Sequence, residues 1–171
     1  LALDLAAAGA AFLVAGVGPQ PGRSTLLNTR ILGLAASCDP EQLQFAFLDF
    51  HTRSLGAFRR LPHQHDYVGS ATGLERSLTA LKDEVARRQA RLEKLYEAAT
   101  GDFDSAEAVG EWPHVLVVID DYDRFYERAG DAKKLLADLI SRGGELGISF
   151  LVAGNVSELP KDFDDSFMRS I

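Results

Sequence analysis

Four groups of residues in this chain have the types and spacing that chemistry on a phosphate needs. The first is the run from Phe12 to Thr25, FLVAGVGPQPGRST. An apolar segment gives way to a Gly/Pro-rich loop, and Gly22-Arg23-Ser24-Thr25 leads into a helical apolar pattern, Leu26-Leu27 through Ile31, Leu32 and Leu34. A strand, a glycine loop and a helix N-terminus in that order aim unpaired backbone N–H groups and the positive end of a helix dipole at an anion. The second group is Leu116–Ile119 followed by Asp120 and Asp121. A buried strand that ends in a rigidly held carboxylate is the Walker B arrangement, in which the acid orients the water shell of Mg²⁺ beside the phosphates. Asp49 and Asn155, each closing an apolar run of its own, complete the set.

These positions give a candidate ATP site. Gly18, Gly22, Arg23, Ser24, Thr25, Asp120 and Asn155 are the candidate nucleotide contacts, and Ser24 and Asp120 are the candidates for Mg²⁺ carried by the nucleotide. Asp121 stands where a carboxylate can polarise the attacking water, and is the weak candidate for a catalytic group. The loop departs from G-x-x-x-x-G-K-[ST]. Val17 occupies the first glycine position, with Gly16 one residue too early and Gly18 one too late, and Arg23 replaces the lysine. Pro19 and Pro21 carry no N–H to wrap a phosphate. The broad guanidinium fork of Arg23 substitutes poorly for a compact ammonium between β- and γ-phosphates. Positioning and charge neutralisation supply nearly all of the catalysis in phosphoryl transfer, so hydrolysis is expected to suffer more than binding.

The elements that must hold these residues can be read from periodicity. Strands are expected at 11–16, at Leu43–Phe50, at Val115–Ile119 and at Ile148–Ala153, with a very short one at Tyr67-Val68 and an edge strand or lead-in over residues 1–10. Most are nearly continuous apolar runs, as strands buried on both faces should be. Helices are expected after the glycine loop as far as Cys38-Asp39-Pro40, over 73–98, 123–129 and 131–143, and beyond Pro160, with a helical turn at Ser54–Arg60. Along 73–98, Leu74, Leu78, Leu81, Val85, Leu92 and Leu95 make one apolar stripe. Asp83, Glu84, Arg87, Arg88, Arg91 and Lys94 are assigned to the opposite, solvated face, with Asp83–Arg87 and Glu84–Arg88 pairs. Residues 99–112 read as an acidic, exposed, mobile loop. The His63-Gln64-His65-Asp66 cluster reads as a surface loop in preference to a metal site, since no further ligand is near in sequence. Alternating strands and helices of this kind indicate an α/β fold with a mostly parallel sheet in three layers. Ligands in such sheets bind outside the carboxyl ends of the strands, where the glycine loop, Asp49, Asp120-Asp121 and Asn155 all fall.

Composition narrows the field. The chain has 171 residues, 46% apolar and 25% charged, as expected for one globular domain. A net charge of −7 argues against a general affinity for nucleic acid or anionic membrane. The single cysteine, Cys38, excludes an internal disulfide. No apolar run approaches the length of a membrane span, so a soluble piece is expected. The chain starts at Leu1, not Met, and is read as an excerpt of something longer.

Three blocks carry a resemblance to a known family. LQFAFLDFHTRSLGAFRRLPH at 43–63, VLVVIDDYDRF at 115–125 and LLADLISRGGELGISFLVAG at 135–154 resemble FtsK/SpoIIIE-type ATPase domains, especially the tandem ATPase domains of type VII secretion proteins of the EccC/EssC kind. In that likeness Asn155 falls at the polar sensor position. The resemblance implies a RecA-like P-loop NTPase core spanning residues 1–171 as a single domain of a larger, membrane-anchored translocase. The chain would lack the fold's last strands. It implies a hexameric assembly with other ATPase domains of the same chain and a place on the cytoplasmic side of the membrane. Later domains in this family often have degenerate Walker motifs, and the last one in type VII proteins is associated with export signals of secreted substrates. The loop's departures fit such a later domain, with a structural, regulatory or signal-binding role and weak or no hydrolysis. Two other readings stand beside it: an active ATP-driven DNA translocase motor, disfavoured by Arg23, Asp121 and the acidic charge, and a nucleotide-free protein-interaction module.

Overall fold

A computed structural model describes residues 11–16, 22–49 and 53–155. Five parallel strands form one sheet: β1 (Ala11–Gly16), β2 (Leu43–Leu48), β3 (Gln64–Val68), β4 (His114–Ile119) and β5 (Ile148–Asn155), in spatial order β1-β5-β4-β2-β3. The helices are α1 (Arg23–Ser37), α2 (Ala71–Ala98), α3 (Ser105–Gly110), α4 (Tyr122–Arg128) and α5 (Ala132–Gly143), with a 3-10 turn at Ser54–Arg60. The expected α/β fold with helices on both faces of a parallel sheet is the observed one. The lead-in over 1–10, the loop at 17–21, His51 and the segment beyond Pro160 lie outside the described residues.

Strand β4 shows why the apolar runs are so dense. Its successive side chains point to opposite faces, and both faces are covered. Leu116 and Val118 join Leu27 and Ile31 of α1, Phe45 and Phe47 of β2, and Leu55 and Phe58 of the 54–60 turn. Val115, Val117 and Ile119 join Leu74, Leu78, Leu81 and Val85 of α2, Phe125 of α4, and Leu136, Leu139 and Ile140 of α5. Polar side chains have no place along such a strand and collect at its ends. Because every strand is parallel, all carboxyl ends lie on one edge of the sheet.

Four local expectations are corrected. The 99–112 segment is not all loop, since Asp104 caps α3 by accepting from Ala106 N at 2.8 Å and Glu107 N at 3.2 Å. Asp104-Ser105-Ala106-Glu107 has the D-x-x-E form of an N-terminal cap, and that signal was there to read. The His63–Asp66 cluster is not a surface loop: Gln64–Asp66 lie in β3, which runs Gln64–Val68 and is longer than the two residues expected, and His63, in the turn before it, is buried with Nε2 2.8 Å from Cys38 O. Arg87 pairs with Glu84 three residues back, at 2.7 Å.

Arg88 is not on the solvated face. It is buried on the same side as Leu81 and Val85, because the seven-residue step from Val85 to Leu92 leaves a place in the stripe at position 88. Its guanidinium donates to Glu84 Oε1, Leu146 O and Pro113 O at 2.8 Å each and to Gly147 O at 3.3 Å, and stacks 5.8 Å from the Trp112 ring centroid. It ties α2 to the segments that enter β4 and β5.

Candidate functional site

The site is built at the carboxyl edge. Gly22 precedes α1 in the left-handed region, φ 74°, a conformation that glycine adopts without strain. The helix then starts at Arg23, which puts Ser24 in its first turn. Ser24 Oγ donates to Oδ2 of Asp120 at 3.0 Å, across 96 residues of sequence. The helix that follows the glycine loop is thereby joined to the end of β4, although β5 lies between β1 and β4 in the sheet.

Asp120 is 5% exposed, and both of its carboxylate oxygens accept hydrogen bonds. Oδ1 accepts from Asp121 N at 3.0 Å, and Oδ2 accepts from Ser54 Oγ at 2.5 Å as well as from Ser24. Asp121 occupies the N-cap position of α4 with φ 58° and ψ 54°, a left-handed conformation uncommon outside glycine but tolerated by aspartate. Asp49, just past β2, is 1% exposed and accepts on Oδ2 from Leu55 N at 2.9 Å and Tyr67 Oη at 3.1 Å. Burial pushes its carboxyl above the usual carboxylate range, and the negative charge of Asp120 adds to the rise. The Tyr67 phenol is likewise pushed up, first by burial and then by Asp49, and Arg59 lies 4.6 Å over its ring.

The sequence-derived residues divide by position. Ser24, Asp120 and Asp121 are brought together. Asn155 closes β5 at the same edge, where its N donates to Oδ1 of buried Asp123 at 3.2 Å. Thr25 is exposed, and its carbonyl accepts from Thr29 Oγ1 at 2.8 Å within α1. Gly18 lies outside the described residues. Arg23 has a buried Nη1 with no hydrogen-bond partner among the described residues. Sequence reasoning missed Ser54, Tyr67 and Asp123. Asp123 follows the Asp120-Asp121 pair closely enough to have been noticed, whereas Ser54 and Tyr67 reach the site only through the parallel pairing of β2, β3 and β4.

Chemically, a half-buried serine hydroxyl beside a buried carboxylate is an all-oxygen donor set of the kind Mg²⁺ takes. An unpaired guanidinium N–H at the start of α1 is complementary to an anion. The residues present therefore fit a magnesium–nucleotide group, with the lysine position filled by a longer, planar cation.

The FtsK/SpoIIIE family model matches residues 1–149. The chain is 30% identical over 134 residues to the ESX secretion system protein EccC of Geobacillus thermodenitrificans, which covers 77% of this chain and 9% of that protein. It is 31% identical over 170 residues to EccC of Thermomonospora curvata, 90% of this chain and 12% of the relative. The chain thus spans about a tenth of the length of these curated relatives. Its fold superposes on the solved structure of Thermomonospora curvata EccC (ATPases 2 and 3) in complex with a signal sequence peptide. The TM-score is 0.74 at 22% identity, covering 99% of this chain and 29% of that one.

Proposed function

The chain belongs to the FtsK/SpoIIIE family, and on that premise we propose that it is a nucleotide-holding domain of a type VII secretion translocase. It binds ATP with Mg²⁺ and turns it over slowly or not at all. Residues 1–171 make one domain of a longer, membrane-anchored protein on its cytoplasmic side. The domain serves hexameric assembly with the other ATPase domains of the same chain and docking of export signals. The likeness to EccC proteins along nearly the whole chain supports this setting, and the peptide bound to the Thermomonospora protein supports the signal-docking role. Among the described residues, no helix is long and apolar enough to cross a membrane.

The observation that carries the nucleotide reading is the 3.0 Å bond from Ser24 to Asp120. In it, Asp120 fixes the serine proton and leaves the hydroxyl lone pairs for a hard cation. Ser24 and Asp120 would hold Mg²⁺, which when bound supplies charge neutralisation across the β- and γ-phosphates. Arg23 neutralises phosphate charge as a fork, without the point-like contact of an ammonium. Pro19 and Pro21 withhold two N–H donors. Asp121 is the candidate for orienting water, and its amide is already committed to Asp120. The site accordingly keeps its means of holding a nucleotide better than its means of cleaving one.

Titration of the chain with a fluorescent ATP analogue, with and without Mg²⁺, tests the reading. Saturable binding strengthened by Mg²⁺ and weakened by Asp120→Asn is expected. No binding at millimolar nucleotide would leave an interaction module in its place, and turnover stimulated by DNA would replace it with a motor.

A further inference from the structure

Asp120 accepts on one oxygen from two hydroxyls that come from different elements. Ser24 reaches it from α1, and Ser54 reaches it from the turn that follows β2. With Oδ1 held by the Asp121 amide at 3.0 Å, the carboxylate has no free rotation left. Ser54 makes the shorter of the two contacts to Oδ2, 2.5 Å against 3.0 Å. Of the two, the Ser54 contact has the length of a strong charge-assisted O–H···O⁻ bond. The next residue is tied down as well, since Leu55 N donates to Asp49 at 2.9 Å. One turn therefore grips both buried carboxylates, by a side chain on Asp120 and by a backbone amide on Asp49.

We propose that Ser54 is a positioning residue of the metal–nucleotide site: it aims the Asp120 carboxylate at Ser24 so that the Ser24 hydroxyl presents a lone pair to the divalent ion. This rests on the nucleotide reading given above. To turn a lone pair towards an ion, the Ser24 hydroxyl must point its O–H elsewhere, and the acceptor of that hydrogen bond is Oδ2. If Ser54 is lost, Oδ2 keeps a single donor in a site that is 5% exposed, and the carboxylate can rotate away from Ser24. The effect falls on the ion-dependent part of binding. Contacts that depend on the glycine loop or Arg23 alone are left as they were.

The test compares ATP affinity in Mg²⁺ with that in EDTA for the parent chain, Ser54→Ala and Ser54→Thr. The ratio of the two affinities should fall about five- to tenfold in Ser54→Ala, with the EDTA value unchanged, and return in Ser54→Thr. Hydrogen exchange over residues 53–60 supplies a readout apart from affinity. Mg²⁺–ATP should slow exchange there in the parent chain and not in Ser54→Ala, because Leu55 N sits on Asp49 beside the site. An equal affinity ratio in parent and Ser54→Ala, with binding intact, overturns the assignment of Ser54 alone. A proportional loss with and without the ion, unrescued by threonine, overturns it too, as a merely structural effect. No binding by the parent chain under either condition overturns the nucleotide reading, and the role of Ser54 with it.

Discussion

The two edges of the sheet treat charge in opposite ways. At the amino edge, Arg88 is buried with its guanidinium on three backbone carbonyls and one carboxylate, and the nearby His114 ring meets Ser149 Oγ at 3.0 Å. That cation is fully answered by the protein. At the carboxyl edge, Asp49 and Asp120 are both buried, the charge of Asp120 adds to the cost of ionising Asp49, and among the described residues neither has a cationic partner within ion-pair distance. Hydroxyls and amides satisfy their oxygens without cancelling their charge. A closed network of the first kind fixes a fold. A network of the second kind leaves its charge for a cation to answer, which is what the proposed magnesium–nucleotide site would supply.

Substitutions at each edge should separate these roles. Arg88→Ala is expected to have the largest effect on stability, about 3 kcal/mol by urea unfolding, since it strands three carbonyls and a carboxylate. It should leave the ratio of ATP affinities with and without Mg²⁺ unchanged. Equal stability in the variant would mean that the amino edge is not held as described.

Protonation of His114 comes next. Burial, with Arg88 nearby, lowers its pKa from 6.5 to about 4. The unfolded chain takes up this proton before the folded one does. Stability should therefore be lost as pH falls from about 6.5 towards 4, by at most ~3 kcal/mol, and His114→Gln should flatten that slope. Unfolding midpoints between pH 7 and pH 4 measure it.

At the other edge, Asp120→Asn keeps shape and removes charge. It should lower Mg²⁺-dependent ATP affinity about tenfold or more, with less effect on stability than Arg88→Ala. Unfolding midpoints and the two-condition titration decide this together. The smallest effect belongs to Asp49, whose raised pKa has the opposite sign from His114. The folded chain binds this proton more readily than the unfolded chain. Its contribution to stability therefore declines as pH rises from the ordinary carboxylate value through the raised one. Asp49→Asn should remove that decline and still accept from Leu55 N and Tyr67.

The carboxyl edge was largely legible in the sequence and the amino edge was not. Apolar runs closing on Asp49, Asp120 and Asn155 reveal strands buried on both faces, and parallel order then puts their ends together. Ser54 was hidden because its turn has no period of its own and meets Asp120 only after 66 residues of chain have folded back. Arg88 was hidden by its type, since a cation within an i,i+4 pair reads as surface. The gap in the apolar stripe between Val85 and Leu92 was the local sign that position 88 faces inward. Trp112 was visible as a residue, but the Arg88 and Arg91 side chains that lie over its ring come from α2.

A single-turnover measurement on the chain with Mg²⁺ and bound ATP, following phosphate release, tests the central claim most directly. A site that holds nucleotide without the geometry to cleave it should retain ATP and release phosphate slowly or not at all. Phosphate release on the scale of seconds, abolished by Asp120→Asn, would contradict it.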